Sequence, residues 1–332
     1  MLDDHKAAIL SAVVREYITT AQPVGSTHIA DAPGVGVSPA TVRNELAVLE
    51  QEGFLAQPHT SAGRIPTDKG YRFFVDRLAA PGHLDDDATM RVGQFFMDAH
   101  GRLEETLHRT SDLLASLTNY AALVVGPKSE TVAVRSVQMV GVSPTLATVV
   151  VVLSNGSVEN ETVHLGDDVT DSHLAAATGH LSAALAGDAL SSAAAALKPS
   201  GDPIVDRICD EALTALRSSP SDDHVWVGGT SSVAAAFDAV EVVREVLFAL
   251  EQQFIVVSLV SDIVQRGMSV AIGVEHGVEP LSACSIVVSP VVVDGEHVGS
   301  VGVLGPTRMN YPQALATVDV VSERLGRRLR DY

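Results

Sequence analysis

Two stretches of this chain carry side chains whose types and spacing suit contact with a polyanion. The first runs from Ser38 to Gln51. Advancing about 100° per residue from Val42 places Leu46 and Leu49 on one stripe with it. Ala40, Asn44, Ala47 and Gln51 fall opposite, Thr41 and Arg43 take the shoulders, and Glu45, Glu50 and Glu52 lie toward the core-side flanks. Small side chains admit a helix to a DNA groove, Asn or Gln grips adenine, and Arg grips guanine or phosphate. A plain solvated helix face is the competing reading of the same residues. The second stretch is the turn PHTSAGRIP, with His59, Thr60, Ser61 and Arg64 around Gly63. Hydroxyl donors and one cation on a slim loop can lie along phosphates or put Arg64 into a minor groove. An ordinary surface turn more often carries Asp, Glu or Lys.

Patterns for catalysis fail. None of the histidines pairs as H-E-x-x-H or stands at ligand spacing from a cysteine. Gly126-Pro127-Lys128-Ser129 resembles the end of a phosphate loop, but proline replaces its last glycine and the earlier glycine is missing. Gly34-Val35-Gly36 meets Pro39 where a dinucleotide loop needs glycine. Cys209 and Cys284 lack a C-x-x-C spacing and read as core thiols of a reduced compartment rather than a disulfide. No catalytic residue, metal site or cofactor is expected, and the chain reads as not an enzyme. The sequons at Asn155 and Asn160 carry no weight without a secretion signal.

The net charge of −19 argues against nucleic acid until its distribution is counted. Residues 1–78 hold seven Lys/Arg against nine Asp/Glu, whereas the remainder holds fifteen against thirty-two. The acidic load therefore lies outside the segment proposed for DNA, where it bears on solubility instead. Hydrophobic content is 46% with only 4% aromatic, so the apolar mass is Val, Ala and Leu. No stretch approaches the ~18 uninterrupted apolar residues of a membrane span. MLDDHKAAIL carries acids where a signal peptide carries bases, which predicts a cytoplasmic protein with no membrane partner.

The elements that position these residues follow from periodicity and punctuation. Ile9, Leu10, Val13, Val14 and Tyr17 line a helix over about 3–19. Ser26 is expected to cap a short helix, THIAD, and Ser38 to cap the third, with Pro39 at its first position and Gly53 beyond its end. A strand FLAQP, the turn, a second strand from Ile65 and a helix carrying Tyr71, Phe74 and Val75 complete the unit. Residues 86–118 read as helical with weak points at Gly93 and Gly101. Apolar runs at 120–125, 132–140, 146–153 and 157–164 read as strands. Helices return over 170–219, and a β-rich region over 225–304 is interrupted by a helix near 238–253. A last helix runs from Pro312 to Leu329.

Helix, turn, helix and hairpin is the order of a winged helix-turn-helix. The segments PVGSTHIA, SPATVRNELAVLEQEGFLAQPHTSAGRIPTDKGYRFFVD and GVLGPTRMNY resemble the bacterial HrcA family of heat-inducible transcription repressors. That resemblance implies an α+β fold: a winged helix-turn-helix (1–80), a helical linker (81–119), and a GAF-like antiparallel-sheet domain (120–130 and 221–332). An α/β dimerising domain (131–220) is inserted into the last. Counting 120–125 with five runs after 225 predicts six strands in the GAF-like sheet. The resemblance also implies a homodimer on the inverted-repeat operator called CIRCE, upstream of chaperone operons, and a GroE chaperonin that keeps the repressor folded until heat diverts it. The DNA contacts expected on this chain are Ser38, Ala40, Thr41, Arg43, Asn44, Ala47, Gln51, His59, Thr60, Ser61 and Arg64. Uncharged runs at 147–153, 254–260 and 286–288 read as aggregation-prone strands that need rapid burial, with Val150 or Val152 facing the core. The alternative is a small-molecule sensor, for which Glu275, His276, Glu279 and Ser282 are the candidate pocket residues. An adaptor using the helix-turn-helix as a contact surface is the third reading.

Overall fold

The computed structural model describes residues 2–59, 62–77, 82–99, 102–127, 132–154, 158–166, 168–189, 197–218, 225–237 and 239–330. Its N-terminal unit holds α1 (Asp4–Thr20), α2 (Ser26–Ala30), α3 (Pro39–Gln51), the two-residue strands β1 (Leu55–Ala56) and β2 (Ile65–Pro66), and α4 (Asp68–Arg77). Asp3 starts α1 by accepting the Lys6 N–H at 2.8 Å, satisfying one of the donors a helix start leaves open. Ile9, Leu10, Val13 and Val14 are buried on its inner face, as the periodicity predicts. The expected cap on α2 is not where the sequence put it. Gly25 is the cap residue and Ser26 is the first helical residue, with no side-chain cap bond.

The stretch 86–118 is helical as expected and forms two helices, α5 (Asp86–Asp98) and α6 (Leu103–Thr118). Gly93 sits inside α5 without breaking it. α6 ends at Asn119 in the left-handed conformation, φ 60°, one of the few non-glycine residues that tolerate it. A five-stranded antiparallel sheet follows, in the order β7-β3-β10-β9-β8. Its strands are β3 (Ala121–Val125), β7 (Val225–Gly228), β8 (Val270–Ile272), β9 (Cys284–Val293) and β10 (Glu296–Pro306). Among the described residues the expected sheet has no sixth strand, and the run 254–260 is helical instead, within α11 (Gln253–Gln265). Its buried residues Val256, Leu259, Val260 and Ile263 recur at helical spacing, a period that a nearly unbroken Val/Ile/Leu run hides. α9 (Thr230–Ala236) and α10 (Val240–Glu251) precede it, and α12 (Tyr311–Leu329) closes the chain.

Between β3 and β7 the chain leaves the sheet and returns beside its exit, since Val125 pairs with Val225. The excursion contains an antiparallel sheet β4 (Val134–Ser143), β5 (Leu146–Leu153) and β6 (Val158–His164), covered by α7 (Asp171–Leu185) and α8 (Pro203–Ser218). These residues pack an apolar core of their own. Along β5 the buried positions are Ala147, Val149, Val151 and Leu153. The expectation for Val150 and Val152 is corrected accordingly: both lie on the opposite, half-exposed face, and a charge meant to break this core belongs at Val149 or Val151. The N-terminal unit, by contrast, has no separate core. Its buried residues run on into those of α6, α12 and one face of the larger sheet, while the other face packs against α9, α10 and α11. Among the described residues no single helix is long and apolar enough to cross a membrane, and no group of His, Cys, Asp and Glu is arranged to hold a metal ion.

Candidate nucleic-acid interface

α3 is fixed at its start by Ser38, whose Oγ accepts the Thr41 N–H at 3.2 Å and lies 3.0 Å from Thr41 Oγ1. Pro39 occupies the first turn, where its missing N–H removes nothing. Val42, Leu46 and Leu49 are buried, and the opposite face holds Ala40, Thr41, Arg43, Asn44 and Gln51, all exposed, with Ala47 half-buried. The side chains of Arg43 and Asn44 have no hydrogen-bond or ion-pair partner among the described residues. At its far end the helix is held from outside: Lys69 Nζ donates to the Glu52 carbonyl at 2.7 Å and stands 4.4 Å from the Phe54 ring centroid.

The hairpin stands beside that helix. Leu55 pairs with Pro66 and Ala56 with Ile65. Its turn is closed by the Ala62 N–H on the His59 carbonyl at 2.8 Å and by Gln57 Nε2 on the Ala62 carbonyl at 3.0 Å. His59 is exposed near the tip; Thr60 and Ser61, both expected contacts, lie outside the described residues. Arg64, expected as a cation on the loop, sits at the foot of the turn, immediately before β2. Its Nη2 is 2.8 Å from Glu50 Oε2, and its side chain is only 19% exposed.

Sequence reasoning missed how the N-terminal unit is seated on the rest of the molecule. Arg72 on α4 donates from Nε to Glu275 Oε1 at 2.9 Å and from Nη2 to the Val270 carbonyl at 2.9 Å, with a second, shorter bond from Nη2 to Glu275 Oε2. The Ile272 N–H also donates to Glu275, at 2.9 Å. Burial works against the Glu275 carboxylate, yet the Arg72 guanidinium and the Ile272 N–H outweigh it and hold its pKa below the ordinary value. Asp68 is pushed the other way: burial raises its pKa, with the Val274 N–H and nearby His276 opposing and the Glu275 charge adding to the rise. Gly273, at φ +54°, is required here, because a Cβ would overlap the Asp68 carboxylate. Tyr71 and Tyr311 meet with ring centroids 5.9 Å apart, and Tyr311 Oη lies 2.8 Å from Ser285 Oγ.

The residues considered for a sensor pocket therefore do not converge on a ligand. Glu275 belongs to this seat. His276 is buried, its Nε2 3.0 Å from the Leu281 carbonyl and its pKa lowered chiefly by burial. Glu279 and Ser282 are exposed. No local signal could have found the Arg72–Glu275 pair, whose partners are 203 residues apart. An acid inside the mainly apolar run VAIGVEHGV was the one available hint.

Comparison with known proteins places this architecture. The family model described as the HrcA protein C-terminal domain matches residues 104–315. The heat-inducible transcription repressor HrcA of Nocardia farcinica is 38% identical over 335 aligned positions, covering 98% of this chain and 96% of the relative. The chain belongs to the HrcA family. The protein of the same name from Pelotomaculum thermopropionicum is 36% identical over 98% of this chain and 96% of its own length. A crystal structure of a hypothetical protein, solved at 2.2 Å, superposes over 100% of this chain with a TM-score of 0.67 at 23% identity, which shows the fold. HrcA relatives are named as repressors rather than enzymes, in keeping with the failed catalytic motifs.

Proposed function

We propose that the chain is a transcription repressor of heat-shock genes that binds, as a homodimer, an inverted-repeat operator of the CIRCE type through a winged helix in residues 1–80. The observation that carries this reading is the outer face of α3. Ala40, Thr41, Arg43, Asn44 and Gln51 form a narrow, exposed strip of small, amide and guanidinium side chains, begun by Ser38 and flanked by Ala47. A strip of this kind can enter a major groove and grip base edges, while His59 on the hairpin, with Thr60 and Ser61 next to it in sequence, is the expected contact to the adjoining backbone. Membership of the HrcA family adds the class of gene controlled.

The remaining domains follow the same reading. A linker (81–119) leads to a GAF-like domain (120–130 and 221–332) interrupted by a dimerising insertion (131–220). The adjacency of β3 and β7 and the separate core of the excursion support the insertion. Its sheet leaves Val140, Val142 and Val158 exposed on the side away from its helices, apolar surface that supports a second copy as partner. Exposed Phe248 and Phe254, the latter 82% accessible, support a need for the GroE chaperonin while the dimer assembles.

The experiment is a selection from random DNA with the purified full chain, with and without chaperonin. Two inverted half-sites spaced by a whole number of ~10.5-base-pair turns are expected, with a higher yield of binding-competent dimer when chaperonin is present. Enrichment of no sequence, or of a single asymmetric site, contradicts the proposal.

A further inference from the structure

A hairpin of two-residue strands cannot hold its own direction in water; short ribbons need packing from outside. Here two elements supply it at one point. Val24, in the turn between α1 and α2, forms an antiparallel bridge with Arg64, each N–H donating to the other's carbonyl at 2.9 Å. Gly63 permits that approach, since a Cβ would overlap the Val24 carbonyl. From this base the Arg64 guanidinium reaches the last turn of α3 and bonds Glu50 at 2.8 Å. Arg64 Nε is buried and without a partner among the described residues. One residue thus ties the hairpin to the turn through its backbone and to the far end of the helix proposed to read bases through its side chain.

We propose that Glu50 and Arg64 form a positioning pair that fixes the hairpin relative to α3, and so sets operator selectivity without touching DNA. The proposal rests on the DNA-binding reading above. With Nε buried and Nη2 held by a carboxylate, a phosphate would have to share this guanidinium with Glu50, an anion that repels it. Glu50 lies one residue before Gln51, so a helix shift that it prevents is a shift of the reading face itself.

The two possible roles of Arg64 give opposite signs for one substitution. If Arg64 bonded a phosphate, Glu50 would compete with DNA, and Glu50→Gln would tighten binding to every sequence. If the pair positions the hairpin, Glu50→Gln weakens operator binding and leaves random DNA nearly unaffected. The test measures affinity for the selected operator and for random DNA, across salt concentration, in wild type, Glu50→Gln, Arg64→Met and the double variant. Each single change is expected to lower operator affinity roughly tenfold, and the double to lose no more than either alone. The salt slope stays unchanged because no phosphate contact is lost. Tighter binding in Glu50→Gln, additive losses, or a slope reduced by about one in Arg64→Met overturns the proposal. A DNA-free measurement separates it from the reading it rests on. Spin labels at Gln51 and His59 are expected to give a narrow distance distribution that broadens in Glu50→Gln. Broadening without any operator binding would refute the DNA reading alone; an unchanged distribution would refute the positioning pair.

Discussion

The outward face of α3 and the inward face of α4 belong to one small unit and are built on opposite terms. On α4 the charged groups that face the larger sheet are paired: Arg72 bonds Glu275, Asp76 and the Val270 carbonyl, and Asp68 meets the Val274 N–H. On α3, Arg43 and Asn44 have no partner among the described residues and stand in solvent. The contrast assigns the two faces different duties. Bonds that reach residues 198 and 203 positions away fix where the unit sits, whereas the exposed Arg43 and Asn44 are available to something outside the chain. If so, damage on the α4 side should appear as lost stability, and damage on the α3 outer face as lost recognition with stability intact.

The largest effect should come from the shared interior. Leu49 is fully buried beneath α3, and Leu49→Ala is expected to cost about 2–5 kcal/mol. Chemical denaturation should show both faces failing together, because the core beneath them is continuous. Survival of operator binding in a variant destabilised by that much would break the claim that one core serves both.

A smaller loss is expected at the seat. Glu275→Gln removes a charge partner from Arg72, whose pair is about three-quarters buried, and should lower stability by roughly 1–2 kcal/mol. The same pair predicts a pH dependence. Glu275 titrates below its ordinary 4.5 in the folded chain, so its contribution is complete above that pH and is lost as pH falls through the depressed value. The melting difference between wild type and Glu275→Gln should therefore be largest near neutrality and shrink in acid. Asp68 has the opposite sign, since burial raises its pKa from 3.8; its carboxylate costs stability at neutral pH, and acid relieves that cost. Asp68→Asn should make the acid loss steeper. A difference between wild type and Glu275→Gln that grows toward low pH would show that this account of the seat is wrong.

How much of this was legible beforehand divides along the same line. The reading face was legible because it is local. Ser38 and Pro39 announce the start of α3, and Val42, Leu46 and Leu49 assign its inner stripe by period alone. The alternation along β5 was legible as a strand but not in phase, since nothing in a run of valines says which of two faces meets α7 and α8. The run 254–260 was misread because Phe254, Ile255, Val256 and Val257 suit a strand by propensity, while burial at Val256, Leu259, Val260 and Ile263 makes them a helix. The Arg72–Glu275 and Glu50–Arg64 pairs were invisible because a charge carries no mark of its distant partner. In the second case, an arginine beside Gly63 invited a contact with DNA, and nothing local marked Glu50 as its ion-pair partner.

The central claim is that the outer face of α3 reads bases, and Asn44→Ala tests it most directly. Asn44 is exposed and off the Val42–Leu46–Leu49 stripe, so melting should change by no more than about 0.5 kcal/mol in stability. At fixed salt, the ratio of operator to random-DNA affinity should fall by about 1–3 kcal/mol, or roughly 5- to 150-fold, with random-DNA affinity unchanged. An Asn44→Ala protein that keeps the wild-type melting point and the wild-type affinity ratio would contradict the account.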